Sequence, residues 1–167
     1  MASYTDDRAW SDRYIGQIKR IIGPLLLDVT PQEIDNQQAS DLMIFTARDM
    51  RIAARLRRPG FADLYPYEFT IRAKRDNGAE TELSKIVNGW ADWMFYGHAD
   101  DASGLDRWWL IDLDAFRAAL IRGKEKIKMG NKPNGDGTHF KWFDLRSFPP
   151  RPSILVAGSH PLPGGAT

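Results

Sequence analysis

A chain of 167 residues, 43% hydrophobic and 27% charged, has an ordinary globular composition and the size of one domain. No apolar run approaches the ~20 residues that cross a bilayer, and Met1 to Arg13 is polar and acidic where a signal peptide would be basic and then apolar, so a cytoplasmic protein is expected. The absence of cysteine excludes disulfides, thiolate zinc sites and cysteine nucleophiles, and leaves oxygen or imidazole to hold any metal.

The formal charge of +1 hides a segregation. Arg48 to Arg75 carries eight basic and three acidic residues, Arg117 to Arg146 again eight and three, and the remainder seven and sixteen. Two basic segments on an otherwise acidic chain point to a face that attracts a polyanion.

In chain order, Trp10, Tyr14, Ile18, Ile21, Ile22 and Leu25 fit one face of an amphipathic helix that Gly23-Pro24 should end. Thr30-Pro31-Gln32-Glu33 has the chemistry of a helix start, with a threonine cap, proline at the first turn and a glutamate that completes a capping box, and predicts a short helix to about Gln38. Asp41 to Ala47 and Arg51 to Arg57 read as a hairpin, with Ile52, Ala54 and Leu56 on the core face of the second strand and Arg51, Ala53, Arg55 and Arg57 on a basic face. After a loop to Pro66, Tyr67 to Arg75 alternates, sending Phe69, Ile71 and Ala73 inward and Glu68, Thr70, Arg72 and Lys74 to the other side.

Asp76-Asn77-Gly78 is a turn signal, and Thr81 caps a helix with the stripe Leu83, Ile86, Val87 and Trp90. Asp92 to His98 reads as a buried strand, Arg107 to Ile111 as another, and Asp112 as the cap of a helix carrying Leu113, Phe116 and Leu120 that closes at Gly123. Lys124 to Gly137 reads as a basic, glycine-rich loop and Thr138 to Asp144 as the last strand. This order predicts an α/β (α+β) domain over residues 1–148, a small mixed twisted sheet flanked by helices, followed by a Pro/Gly-rich tail over 149–167 that forms an arm or is disordered.

Asp41 opens the first strand and Glu68 the third, and two carboxylates at a sheet edge can hold Mg²⁺ while a nearby cation steadies developing phosphate charge. Gln37-Gln38-Ala39-Ser40-Asp41, Glu68-Phe69-Thr70-Ile71-Arg72 and the helix Glu82 to Ala91 before a strand resemble the PD-(D/E)XK phosphodiesterase superfamily over Gln32 to Trp109. The resemblance implies a restriction-endonuclease-like core with Asp41 and Glu68 as metal ligands and a lysine two residues after the second acid. Thr70 stands in that lysine's place, and the proline before the first acid is missing, which shifts the cation to Arg72 or to Lys85, one turn from Glu82. The bland reading of Glu68, Arg72 and Arg55 is a salt-bridge ladder without catalysis. Tyr67 to Arg72 and Gly97-His98-Ala99-Asp100 are also similar to small phage and prophage proteins.

Arg51, Arg55, Arg57, Lys74, Lys124, Lys126, Lys128 and Lys132 are the candidate nucleic-acid contacts, and a tryptophan exposed near Lys141 or the Lys124 to Lys132 loop could stack on a base. Trp90 and Trp93 fall on apolar positions and read as core; His98, His139 and His160 lack ligand spacing, and His98 stands apart because Tyr96, His98 and Asp100 leave one side of a strand that Asp92 begins. No Gly-x-Ser-x-Gly elbow or phosphate-cradling loop occurs. Two functions follow: a Mg²⁺-dependent nuclease, or an inert phage-type module that uses its basic face to occupy nucleic acid or a host protein.

Overall fold

The computed structural model describes residues 4–26, 50–75, 81–134 and 137–163. The Thr30 cap and the helix after it, the strand from Asp41 to Ala47 and the Asp76-Asn77-Gly78 turn lie outside the described residues. The chain divides into two units, Met1–Met50 and Arg51–Thr167.

In the first unit the expected single helix is two, α1 (Tyr4–Asp12) and α2 (Ile15–Leu26). Tyr14, Ile18 and Ile22, spaced one turn apart, are buried. Gly23-Pro24 does not end α2 at once: Pro24 removes one ladder bond, but it lies in the last turn, and the helix closes two residues later at Leu26.

The second unit is a mixed α+β fold with two sheets among the described residues. Its elements are β1 (Ile52–Arg57), the short α3 (Phe61–Leu64), β2 (Glu68–Arg75), α4 (Glu82–Val87), β3 (Trp93–Ala99), β4 (Leu105–Asp112), α5 (Leu113–Gly123), β5 (Met129–Pro133), β6 (Thr138–Asp144) and β7 (Leu155–Gly158). The four-stranded sheet runs β1-β3-β4-β7 and the three-stranded sheet β2-β6-β5. β1 lies parallel to β3; the other pairs are antiparallel.

Local chemistry sets the helix ends as the sequence predicts. Thr81 accepts the Ser84 amide at the start of α4 and Asp112 accepts the Ala115 amide at the start of α5. At the far end of α4, Gly89 takes φ 74, its amide reaches Ile86 O and the Trp90 amide reaches Lys85 O, a Schellman closure. That left-handed residue breaks the helical phase, so Trp90, expected in the core stripe, is 62% exposed; Val87, still within the helix, is also exposed, and of the stripe only Ile86 is fully buried.

Period two holds in the strands. Phe69 and Phe143 face each other across β2 and β6 with ring centroids 5.1 Å apart, and Phe116 of α5 meets Phe143 edge-on, also at 5.1 Å. Phe148 closes the cluster 5.8 Å from Phe116. Met94, Tyr96, Trp109 and Ile111 of the four-stranded sheet belong to the same buried core.

Two expectations fail downstream. The supposed loop after Gly123 contains β5, whose Gly130 packs under Trp142, so its glycine serves a close approach within a strand and not a turn. The tail read as an arm buries Ile154 and adds β7 beside β4, with Ala157 opposite Leu110. A chain truncated after Ser153 should therefore melt lower, by ~2–4 kcal/mol for the lost isoleucine alone; an unchanged urea midpoint would return the segment to the status of an arm.

Candidate nucleic-acid interface

β1 carries arginines inward. Ala53 packs on the core while Ala54 is exposed, the reverse of the expected facing, so Arg55 and Arg57 point toward the three-stranded sheet. Aromatic rings and a carboxylate there accept guanidinium groups: Arg55 stands 4.6 Å over the Phe140 ring and its Nη1 donates to Glu82 Oε2 at 2.8 Å. The same Oε2 accepts the Arg72 amide at 3.0 Å, and the Arg72 guanidinium shares the Phe140 ring at 5.8 Å. This Arg55, Glu82 and Arg72 cluster is a tie between β1, β2 and α4.

Arg57 has a different setting. Its guanidinium lies 4.2 Å over Phe61, Phe61 stacks on Tyr65 at 6.3 Å, and Lys132 reaches Tyr65 from β5, 4.6 Å from the ring and 3.0 Å from the hydroxyl. Phe61 and Tyr65 are one helical turn apart on α3, which follows the left-handed Gly60 at φ 82. The resulting ladder of cation, ring, ring and cation forms one part of a cavity of about 240 Å³, to which Glu68, Thr70, Tyr96, His98 and Trp142 also contribute. Among the described residues Arg57 has no carboxylate partner, and burial draws its pKa down, with Arg55 adding to the effect.

Thr70 and Tyr96 hydroxyls meet at 3.3 Å between the two sheets. His98, 1% exposed, has no hydrogen-bond partner for either ring nitrogen among the described residues. Burial, with the Arg57 and Arg107 cations behind it, lowers its pKa from 6.5 to about 4. Burial and the facing Asp144 carboxylate raise the Glu68 pKa, against the pull of Lys132 and Arg146.

Of the predicted catalytic residues, Arg72 and Glu82 meet, whereas Glu68 stands apart from them. Asp41 lies outside the described residues. Glu82 binds the Arg72 amide, four residues and so ~13 Å along β2 from Glu68. Lys85 is exposed on α4. The carboxylate opposite Glu68 is Asp144, which Arg146 already holds through Nε at 2.9 Å and Nη2 at 2.8 Å. No three His, Asp or Glu side chains gather as a metal site among the described residues.

The nucleic-acid candidates divide. Arg51 is tied to Gly89 O and lies 3.8 Å from Asp92; Arg55 is spent on Glu82; Arg57 and Lys132 face the cavity; Lys124, Lys126 and Lys128 are exposed around a 3₁₀ turn before β5. Lys74 sits on β2 opposite His139. The reading missed Phe61 and Tyr65, although their four-residue spacing after Pro59-Gly60 was a usable helical signal. Tyr96 and His98, which the sequence places on one side of their strand, both line the cavity, although a buried strand gives no sign of which face is hollow.

Comparison with protein-family models, curated proteins and solved structures finds no match. No helix among the described residues is long and apolar enough to cross a membrane.

Arg55→Gln should destabilise the fold by about 2 kcal/mol, since it leaves a partly buried Glu82 unpaired, and adding Glu82→Gln should restore part of that. Additive losses in a urea double-mutant cycle would show that the pair is not coupled.

His98 gives a pH signature. The folded state disfavours its protonation, so its contribution is complete above pH 6.5 and is lost as pH falls toward 4, by at most ~1.4 kcal/mol per unit. Urea unfolding at about pH 7.5 and about pH 5 should show this slope in the wild type and a shallower one in His98→Gln; equal slopes would sink the assignment.

Proposed function

We propose that the protein is a nucleic-acid-binding module that grips phosphate at the cavity through Arg57 and Lys132. The observation that carries this reading is Arg57, a half-buried guanidinium with no carboxylate partner among the described residues, facing a cavity with a second cation at its rim. A buried charge without a counter-charge is costly, and a phosphate supplies that counter-charge with oxygens that suit the guanidinium fork. Exposed Lys124, Lys126 and Lys128 lie in the chain just before the strand that bears Lys132, and add to the positive field.

Hydrolysis is the second reading, in which a restriction-endonuclease-like core uses Asp41 and Glu68. The raised Glu68 pKa at the cavity favours it, because such a carboxyl suits proton transfer. The described donors do not make up a magnesium site: Glu68 is one carboxylate, and Asp144 is engaged by Arg146. That reading therefore depends on Asp41.

Fluorescence anisotropy with labelled oligonucleotides should show affinity falling steeply with salt, with Arg57→Gln and Lys132→Gln each weakening binding and each reducing the salt slope by ~1. No binding at low salt would refute the module. In parallel, cleavage in Mg²⁺ that Asp41→Asn and Glu68→Gln both abolish would establish the hydrolytic reading, and an intact oligonucleotide would dismiss it.

A further inference from the structure

We infer that the cavity admits a single unpaired nucleotide, so that the protein selects single-stranded nucleic acid over duplex. The inference rests on the nucleic-acid reading above and adds to it the form of the ligand.

Size comes first. A volume of about 240 Å³ lies below the ~300–1,000 Å³ of pockets that enclose drug-sized molecules, so the hollow takes a small group and not a duplex.

The walls come next. Trp142 supplies a flat ring, and Phe61 and Tyr65, stacked on each other, hold the Arg57 and Lys132 cations on their outer faces. Rings next to cations suit a base carrying a phosphate, since the ring takes the π face and the cation takes the charge. A base within a duplex offers neither face, because its neighbours are stacked on both.

The floor is polar, with the Thr70 and Tyr96 hydroxyls meeting there at 3.3 Å. A base edge, which carries donors and acceptors, suits such a floor better than a purely aliphatic guest does. That edge is free only when the base is unpaired.

Anisotropy titrations test this with a labelled single strand and the same sequence as a blunt duplex, each made as DNA and as RNA. The single strand should bind at least ~10-fold more tightly than the duplex, and Trp142→Ala should weaken the single strand by ~5- to 150-fold, the range of one base–aromatic stack, while changing duplex binding little. Trp142→Phe, which keeps a ring at that position, should lose much less affinity, separating the loss of a stacking face from other effects of the alanine. A preference in either DNA or RNA supports the inference and shows whether the sugar is read. Equal binding of strand and duplex, with neither variant affecting either, overturns it while leaving the binding module intact. No binding to any of the four oligonucleotides removes both.

Discussion

The contact on which the second unit depends is the packing of Phe69 against Phe143 across β2 and β6, with Phe116 of α5 driven edge-on into the pair. All three rings are fully buried. They hold the three-stranded sheet in a common core with the inward side chains of β3 and β4, and such aromatic contacts contribute beyond the area they bury. Moving along β2 from Phe69, the neighbouring residues Glu68 and Thr70 alternate to the cavity side, so the strand that completes the core also supplies one wall of the hollow. Core and cavity are two faces of one pleat.

Charge is arranged by the same geometry. The basic residues of β1 looked from the sequence like a solvated stripe, yet Arg55 has a side chain only 14% exposed. It is tolerated because Glu82 and the Phe140 ring replace much of the water it loses. Arg57, two residues on, has the ring and, among the described residues, lacks the carboxylate. The difference between these neighbours separates a structural tie from a group with unused binding capacity, and it comes from what stands opposite each on other elements. Composition and local charge density do not distinguish them.

Much of the fold was legible. Thr81 and Asp112 announced their helices through capping chemistry, Phe69 and Ile71 their strand through alternation, and Met94 to Ala99 through an uninterrupted buried run. The misreadings share a cause: local signals do not carry tertiary partners. Gly130 looked like loop punctuation because nothing nearby shows that Trp142 needs the space. Leu155 to Gly158 looked too short and too close to prolines for a strand until β4 offers it an edge. Trp90 was assigned to a helical stripe that Gly89 had already interrupted. For the site, Glu68 and the two cavity cations Arg57 and Lys132 were picked out by residue type, whereas the rings and His98 required the two sheets to be placed before they formed anything.

Gly130 has a consequence for how the cavity can be adjusted. It lies opposite Trp142 in the β5–β6 register, and a methyl group there would come within 2.6 Å of the indole nitrogen. Trp142 lines the hollow, whereas Gly130 does not. The indole therefore rests on a bare stretch of backbone, and its tilt is governed by the size of a residue on the outer strand. A side chain added at that position would displace the ring and alter the width of the opening without any change to the groups that line it, so the dimensions of this hollow are governed in part from the back of its wall.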